Sequence, residues 1–141
     1  MDVDHIIGNA ILSARSDSII AADKEGAIIF WSPGAERIFG FAKAEAIGQS
    51  LDIIIPERLR KRHWEGYHRV METGQSRYEQ GDVLAVPGIA KNGRQLSLEF
   101  TIIPFQDESR GLIGLVAVMR DVTKKFEETR ALRRKLADMT K

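Results

Sequence analysis

The chain has 141 residues, 43% of them hydrophobic and 29% charged, the size and composition of one folded domain with a single core. Lys and Arg number 21 against 20 Asp and Glu, so a formal charge of +1 supplies no global field for nucleic acid. Cysteine is absent, which removes disulfides, thiolate nucleophiles and cysteine metal ligands, and with no long apolar run and no basic-then-apolar leader the expected location is the cytoplasm, away from the membrane.

Residues 3 to 14 carry Ile6, Ile7, Ala10 and Ile11, a spacing that lays one apolar stripe along a short helix expected to cap the domain or meet a partner. Two β-branched runs follow, Ser18 to Asp23 and Ala27 to Trp31, joined by Lys24-Glu25-Gly26, where the glycine suits a tight hairpin. Ser32-Pro33 opens a helical stretch, because the hydroxyl can cap free amides and proline loses no bond at the first position. Gly40 and Gly48 close two short helical pieces, Glu36 to Phe39 and Lys43 to Ile47.

A longer helix is expected from Pro56 to about Thr73, ended by Gly74. Along it His63, Tyr67 and Val70 or Met71 fall at i, i+4 and i+7 and share a face, which should look inward. Trp64 is turned about 100° from His63 and is expected to face another layer or solvent. Arg58, Arg60, Lys61 and Arg62 read as a solvated helix edge, His68 lies on a different face, and His5 belongs to the leader.

Three further strands are expected over Gly81 to Val86, Gln95 to Phe105 and Leu112 to Asp121. Leu96, Leu98, Phe100 and Ile102 alternate with polar Gln95, Ser97, Glu99 and Thr101, the period of a sheet with one buried face. Lys91-Asn92-Gly93 marks a hairpin. After Asp121-Val122-Thr123, a last helix over Lys124 to Thr140 carries Leu132, Leu136 and Met139 on one side, a stripe too short to establish a coiled coil.

Several of these features occur together in one family. Trp31 to Gly48 contains the block Ala35-Glu36-Arg37-Ile38-Phe39-Gly40 and closes on Glu45-Ala46-Ile47-Gly48. With the Asp23-x-x-Gly26 turn, Asn92-Gly93 and the Asp121-Val122-Thr123 exit, the chain resembles PAS sensory domains from about Ile11 to Thr123. The resemblance implies an α+β fold in which a five-stranded antiparallel sheet of order 2-1-5-4-3 faces short helices and one longer pocket helix. It divides the chain into an N-terminal cap helix (1–14), the PAS domain (15–123) and a C-terminal signalling or dimerisation helix (124–141). Ser32 stands where many members have asparagine, and either residue can cap.

Pro56-Glu57-Arg58 through Arg62-His63, with Tyr67 and Arg69 following, is similar to the pocket helix of the FixL-type heme-binding PAS domains of oxygen-sensing histidine kinases. That likeness implies heme b with His63 as the axial iron ligand, a role a neutral imidazole in an apolar cavity can fill. It implies Tyr67 on the same pocket face, Arg69 and Arg77 near the heme carboxylates, and Phe100 and Ile102 on the gas side. Val83 or Leu84 stands where those proteins place an oxygen-binding arginine, so the oxygen-sensing mechanism does not carry over. The flavin-binding, light-sensing branch depends on a reactive cysteine, and Ile53-Ile54-Ile55-Pro56 occupies that place here, so no flavin photoadduct is expected.

The function expected is sensory signal transduction through a pocket ligand, most specifically diatomic-gas sensing by heme, in a homodimer held by the terminal helices and coupled to a downstream protein or a missing output domain. The alternative is a cofactor-free PAS module for dimerisation and protein–protein interaction, with His63 packed as a structural residue. No nucleophile elbow, phosphate loop or His-Glu-x-x-His pair occurs, so an enzyme is not expected.

Overall fold

The computed structural model describes residues 1–74 and 85–140. Strands β1 (Ser18–Asp23), β2 (Ile28–Trp31), β3 (Ala85–Ile89), β4 (Gln95–Asp107) and β5 (Gly111–Asp121) form one antiparallel sheet in the order β2-β1-β5-β4-β3. This is the expected 2-1-5-4-3 order of the α+β fold. Five helices accompany the sheet: α1 (Val3–Leu12), α2 (Pro33–Phe39), α3 (Lys43–Ala46), α4 (Arg60–Thr73) and α5 (Thr123–Met139). Two 3₁₀ turns, Leu51–Ile54 and Glu57–Leu59, lead into α4.

The strand register sorts side chains into two faces. Ile20 pairs with Ala117, Ala117 with Ile102, and Phe100 with Met119, so these residues stand in rows on the inner side. Ile20, Leu96, Leu98 and Leu115 from the sheet join Ile38, Phe39, Leu51, Ile54 and Tyr67 from the helical layer in one buried cluster, with Ile102 and Met119 packed against it. Burying such side chains contributes roughly 2 kcal/mol each, which makes this layer contact the main source of stability.

The join between β1 and α2 depends on one hydroxyl. Ser32 Oγ caps α2 by accepting from the Ala35 amide at 3.2 Å and also accepts from the Ile19 amide at 2.9 Å, while Ser32 is fully buried. The capping role follows from the sequence; the second bond does not, because Ile19 lies on another element. Gly34 permits the close approach, since a Cβ there would sit 1.7 Å from the Asp17 carbonyl oxygen.

Several element boundaries differ from expectation. The third strand is described from Ala85 and runs to Ile89, past the expected end at Val86, because Pro87, Gly88 and Ile89 continue the ladder with Ser97, Leu96 and Gln95. Residues 81–84 of the expected strand lie outside the described residues. Proline is tolerated because β3 is the last strand in the sheet order, with a side free of ladder bonds. The long helix begins at Arg60, with a 3₁₀ turn after Pro56, and α2 begins already at Pro33.

At the far end, the Ser97 amide on β4 donates to Thr123 Oγ1 at 2.9 Å, and the Val122 amide donates to the Ser97 carbonyl. The exit into α5 is thereby stapled to the middle of the sheet. Beyond Thr123 α5 has no buried residue, and α1 has none at all.

Ser32→Ala is expected to cost about 2–3 kcal/mol, the sum of a lost cap and a stranded strand amide. Urea unfolding checks this; a loss below about 1 kcal/mol would mean the Ile19 amide has found another partner.

Candidate functional site

α4 carries the candidate ligand, and its sequence explains how it is held. Of its residues only Tyr67 is fully buried, so a broad apolar stripe is lacking. Tyr67 instead donates its hydroxyl hydrogen to the Asp23 carbonyl at the end of β1. Burial holds the phenol proton well above the usual range, with the charges of Asp23 and Glu25 adding to the effect. Val70 and Met71 pack against the core beside it, so the expected inward face is present.

Of the two expected surroundings for Trp64, another layer or solvent, the structure gives the first. It is partly buried against the core, and its indole Nε1 donates to Asp52 Oδ1 at 2.7 Å. Its ring lies over the β1–β2 turn, where a Cβ on Gly26 would come within 2.1 Å of it. Gly26 also has φ of +85°, so the turn requires glycine for backbone reasons as well. The helix periodicity places Trp64 beside His63, but a turn far away in sequence supplies the cover.

Arg60 leaves the expected solvated edge. Its guanidinium donates to the carbonyls of Ile55 at 3.1 Å and Asp52 at 3.3 Å, tying α4 to the 3₁₀ turn before it. Lys61 and Arg62 remain exposed as expected.

His63 sits among these residues. Its ring centroid is 4.7 Å from that of Trp64, at an interplanar angle of 77°, and 5.8 Å from that of Tyr67. Nδ1 is buried, and no described residue gives it a hydrogen-bond partner. Burial pushes the imidazole pKa down to about 4, against the weaker opposing pull of the Asp52 carboxylate. At neutral pH His63 is uncharged and offers a nitrogen lone pair, the form a metal ligand requires.

The remaining candidates divide. Phe100 and Ile102 occupy the inner face of β4, where the strand period puts them, and both are partly buried. Arg69 is exposed on α4, as is His68. Arg77, Val83 and Leu84 lie outside the described residues. Asp52 and Asp23 were missed by sequence reasoning; they act through one carboxylate and one backbone carbonyl presented to aromatic residues far along the chain.

A family model described as the PAS fold matches residues 12–126. The chain is 32% identical over 122 residues to the sensor protein FixL of Bradyrhizobium diazoefficiens, covering 86% of this chain and 23% of that protein. It is 26% identical over 137 residues to the oxygen sensor protein DosP of Escherichia coli K12, covering 93% of this chain and 17% of that one. The chain thus spans less than a quarter of the length of these relatives. The crystal structure of a PAS domain from Colwellia psychrerythraea matches with a TM-score of 0.73 at 24% identity, covering 87% of this chain and 99% of that one, a likeness of fold.

The lowered His63 pKa sets a pH dependence. The unfolded chain takes up a proton near 6.5 and the folded one only near 4, so the stability due to neutral His63 is complete above pH 6.5 and is lost as pH falls towards 4. The loss across that window is about 3 kcal/mol at most. Unfolding of the ligand-free protein at pH 7.5 and pH 5, compared with His63→Leu, should show the slope flattened in the variant; equal slopes contradict the assignment.

Proposed function

The chain belongs to the PAS family, modules of sensory signal-transduction proteins, and on that premise we propose that it binds heme b through His63 and senses a diatomic gas. The observation that carries this reading is the neutral, partly buried imidazole whose buried Nδ1 has no hydrogen-bond partner among the described residues. A structural histidine packed in a core normally satisfies that nitrogen, whereas here the atom has no partner among the described residues and the ring lies against Trp64 and Tyr67. The donor type and surroundings fit an axial heme ligand. Bound there, heme supplies an iron centre able to take up small gases, which side chains cannot do.

The chain's own residues have defined parts in this reading. His63 holds the iron, Tyr67 supports the pocket face through its bond to Asp23, and Phe100 and Ile102 line the gas side. Arg69, exposed on α4, serves the heme carboxylates, a role that the family likeness also gives to Arg77. With Val83 or Leu84 in place of a hydrogen-bonding arginine, the gas side favours carbon monoxide or nitric oxide over dioxygen.

Signalling in this proposal passes along β4 from Phe100 to Ser97 and so into the α5 junction. The terminal segments 1–14 and 124–141 pair two copies of the chain around the sensory unit 15–123. Support comes from the exposed apolar residues Ile6, Ile7 and Ile11 of α1 and Leu132, Leu136 and Met139 of α5. Most helical stability in proteins comes from packing of one face, and α5 buries nothing beyond Thr123 within its own domain. The dimer would act on a downstream protein or an output domain in the cytoplasm and carry no catalysis itself. Among the described residues no helix is long and apolar enough to cross a membrane.

The same exposed helices favour a second reading, a cofactor-free docking module. Absorption after heme reconstitution separates the two: wild type should show a Soret band that His63→Ala loses or shifts, and a wild type without the band rejects the heme reading. Light scattering tests the dimer; a chain ended at Thr123 should fall to about half the particle mass, and an unchanged mass removes α5 from the contact.

A further inference from the structure

We propose that Trp64, anchored by Asp52, is a positioning residue for His63, fixing the direction in which the imidazole presents its nitrogen to a ligand. This rests on His63 being the ligand-binding residue. A histidine that binds a metal usually has its ring set by a hydrogen bond from its other nitrogen to a carbonyl, carboxylate or water. The buried Nδ1 of His63 has no such bond to a described residue, and the contacts seen to orient its imidazole are with neighbouring rings. Trp64 is the nearest of those rings and meets His63 edge to face.

The indole can serve as a fixed reference because it is held on three sides. Asp52 accepts its Nε1 hydrogen at 2.7 Å, Tyr67 packs at 5.3 Å between centroids, and the Gly26 backbone lies against its ring. Asp52 is itself restrained, since Arg60 binds its carbonyl. A continuous series of contacts therefore runs from Arg60 through Asp52 and Trp64 to the imidazole, all within α4 and the turn that precedes it. Tyr67 also touches His63, but at a longer distance and with its hydroxyl committed to β1.

Three substitutions test the assignment. Trp64→Phe keeps an aromatic ring but loses the anchoring N–H, Asp52→Ala removes the acceptor, and Asp52→Asn keeps an oxygen that can still accept. In the heme-loaded protein, transfer of heme to an excess of heme-free globin should quicken about tenfold for Trp64→Phe and Asp52→Ala and stay within about twofold of wild type for Asp52→Asn. The iron–histidine stretch of the reduced protein should move in the first two variants and be restored in the third. In the heme-free protein, the His63 ring signals in NMR should be single and sharp in wild type and Asp52→Asn and broadened in the other two.

Wild-type heme release and an unmoved stretch in both loosening variants would overturn the positioning role even though heme binds. If wild type takes up no heme, or His63→Ala takes it up with the same spectrum, the heme reading fails instead. The NMR comparison then decides the positioning role alone, with unchanged His63 signals counting against it. Should Trp64→Phe fail to fold, Asp52→Ala carries the same comparison.

Discussion

The site depends on how a mostly polar helix is kept against the sheet. α4 buries one residue fully, so apolar packing alone cannot define its position. Directed bonds do so instead: the Tyr67 hydroxyl to the last carbonyl of β1, the Trp64 indole to Asp52, and the Arg60 guanidinium to two carbonyls of the preceding turn. Each has an angular requirement that apolar contact lacks. A helix fixed in this way has a defined rotation, and the direction of His63 follows from that rotation. The Tyr67 bond reaches across to the end of β1, so a ligand that shifts α4 works directly against the hairpin.

The sheet supplies the complementary stiffness. Ser32 joins β1 to the first turn of α2 with two buried bonds from one oxygen, and the inner rows of β1, β5 and β4 pack beneath the helical layer. β4 carries both Phe100 and Ile102 of the candidate pocket and Ser97, which bonds the α5 junction through its amide and carbonyl. In the proposed reading, pocket and exit share one strand, only a few residues apart. Asp121 completes the junction by accepting from the Thr123 amide at 3.0 Å. This arrangement gives a PAS module a short mechanical path from its interior to its outgoing helix.

α1 and α5 contrast with that interior. Leu132, Leu136 and Met139 are 61%, 63% and 80% exposed, values at which apolar side chains contribute little to the stability of their own domain. The stability of the fold and the placement of these helices are thus separate matters, the first decided between the sheet and the helical layer and the second by whatever surface the helices meet.

Much of this was legible in the sequence because the signals were local. Alternation along Gln95 to Phe105 identified a strand with one buried face, Gly40 and Gly74 ended helices in left-handed geometry, and Ser32 announced a cap. The i, i+4 spacing put His63 and Tyr67 on one face before any contact was known. Local signals failed at Arg60 and left the surroundings of Trp64 open. Helical spacing gives the angle between neighbouring side chains but does not say which side is covered when several can be. The sequence by itself determined the strands, the helix ends and the shared face of His63 and Tyr67, since these follow from backbone geometry over a few residues. Only the tertiary structure decided that Trp64 turns to Asp52 and the Gly26 turn and that His63 Nδ1 is buried with no hydrogen-bond partner among the described residues, because those outcomes depend on groups brought together from separate elements.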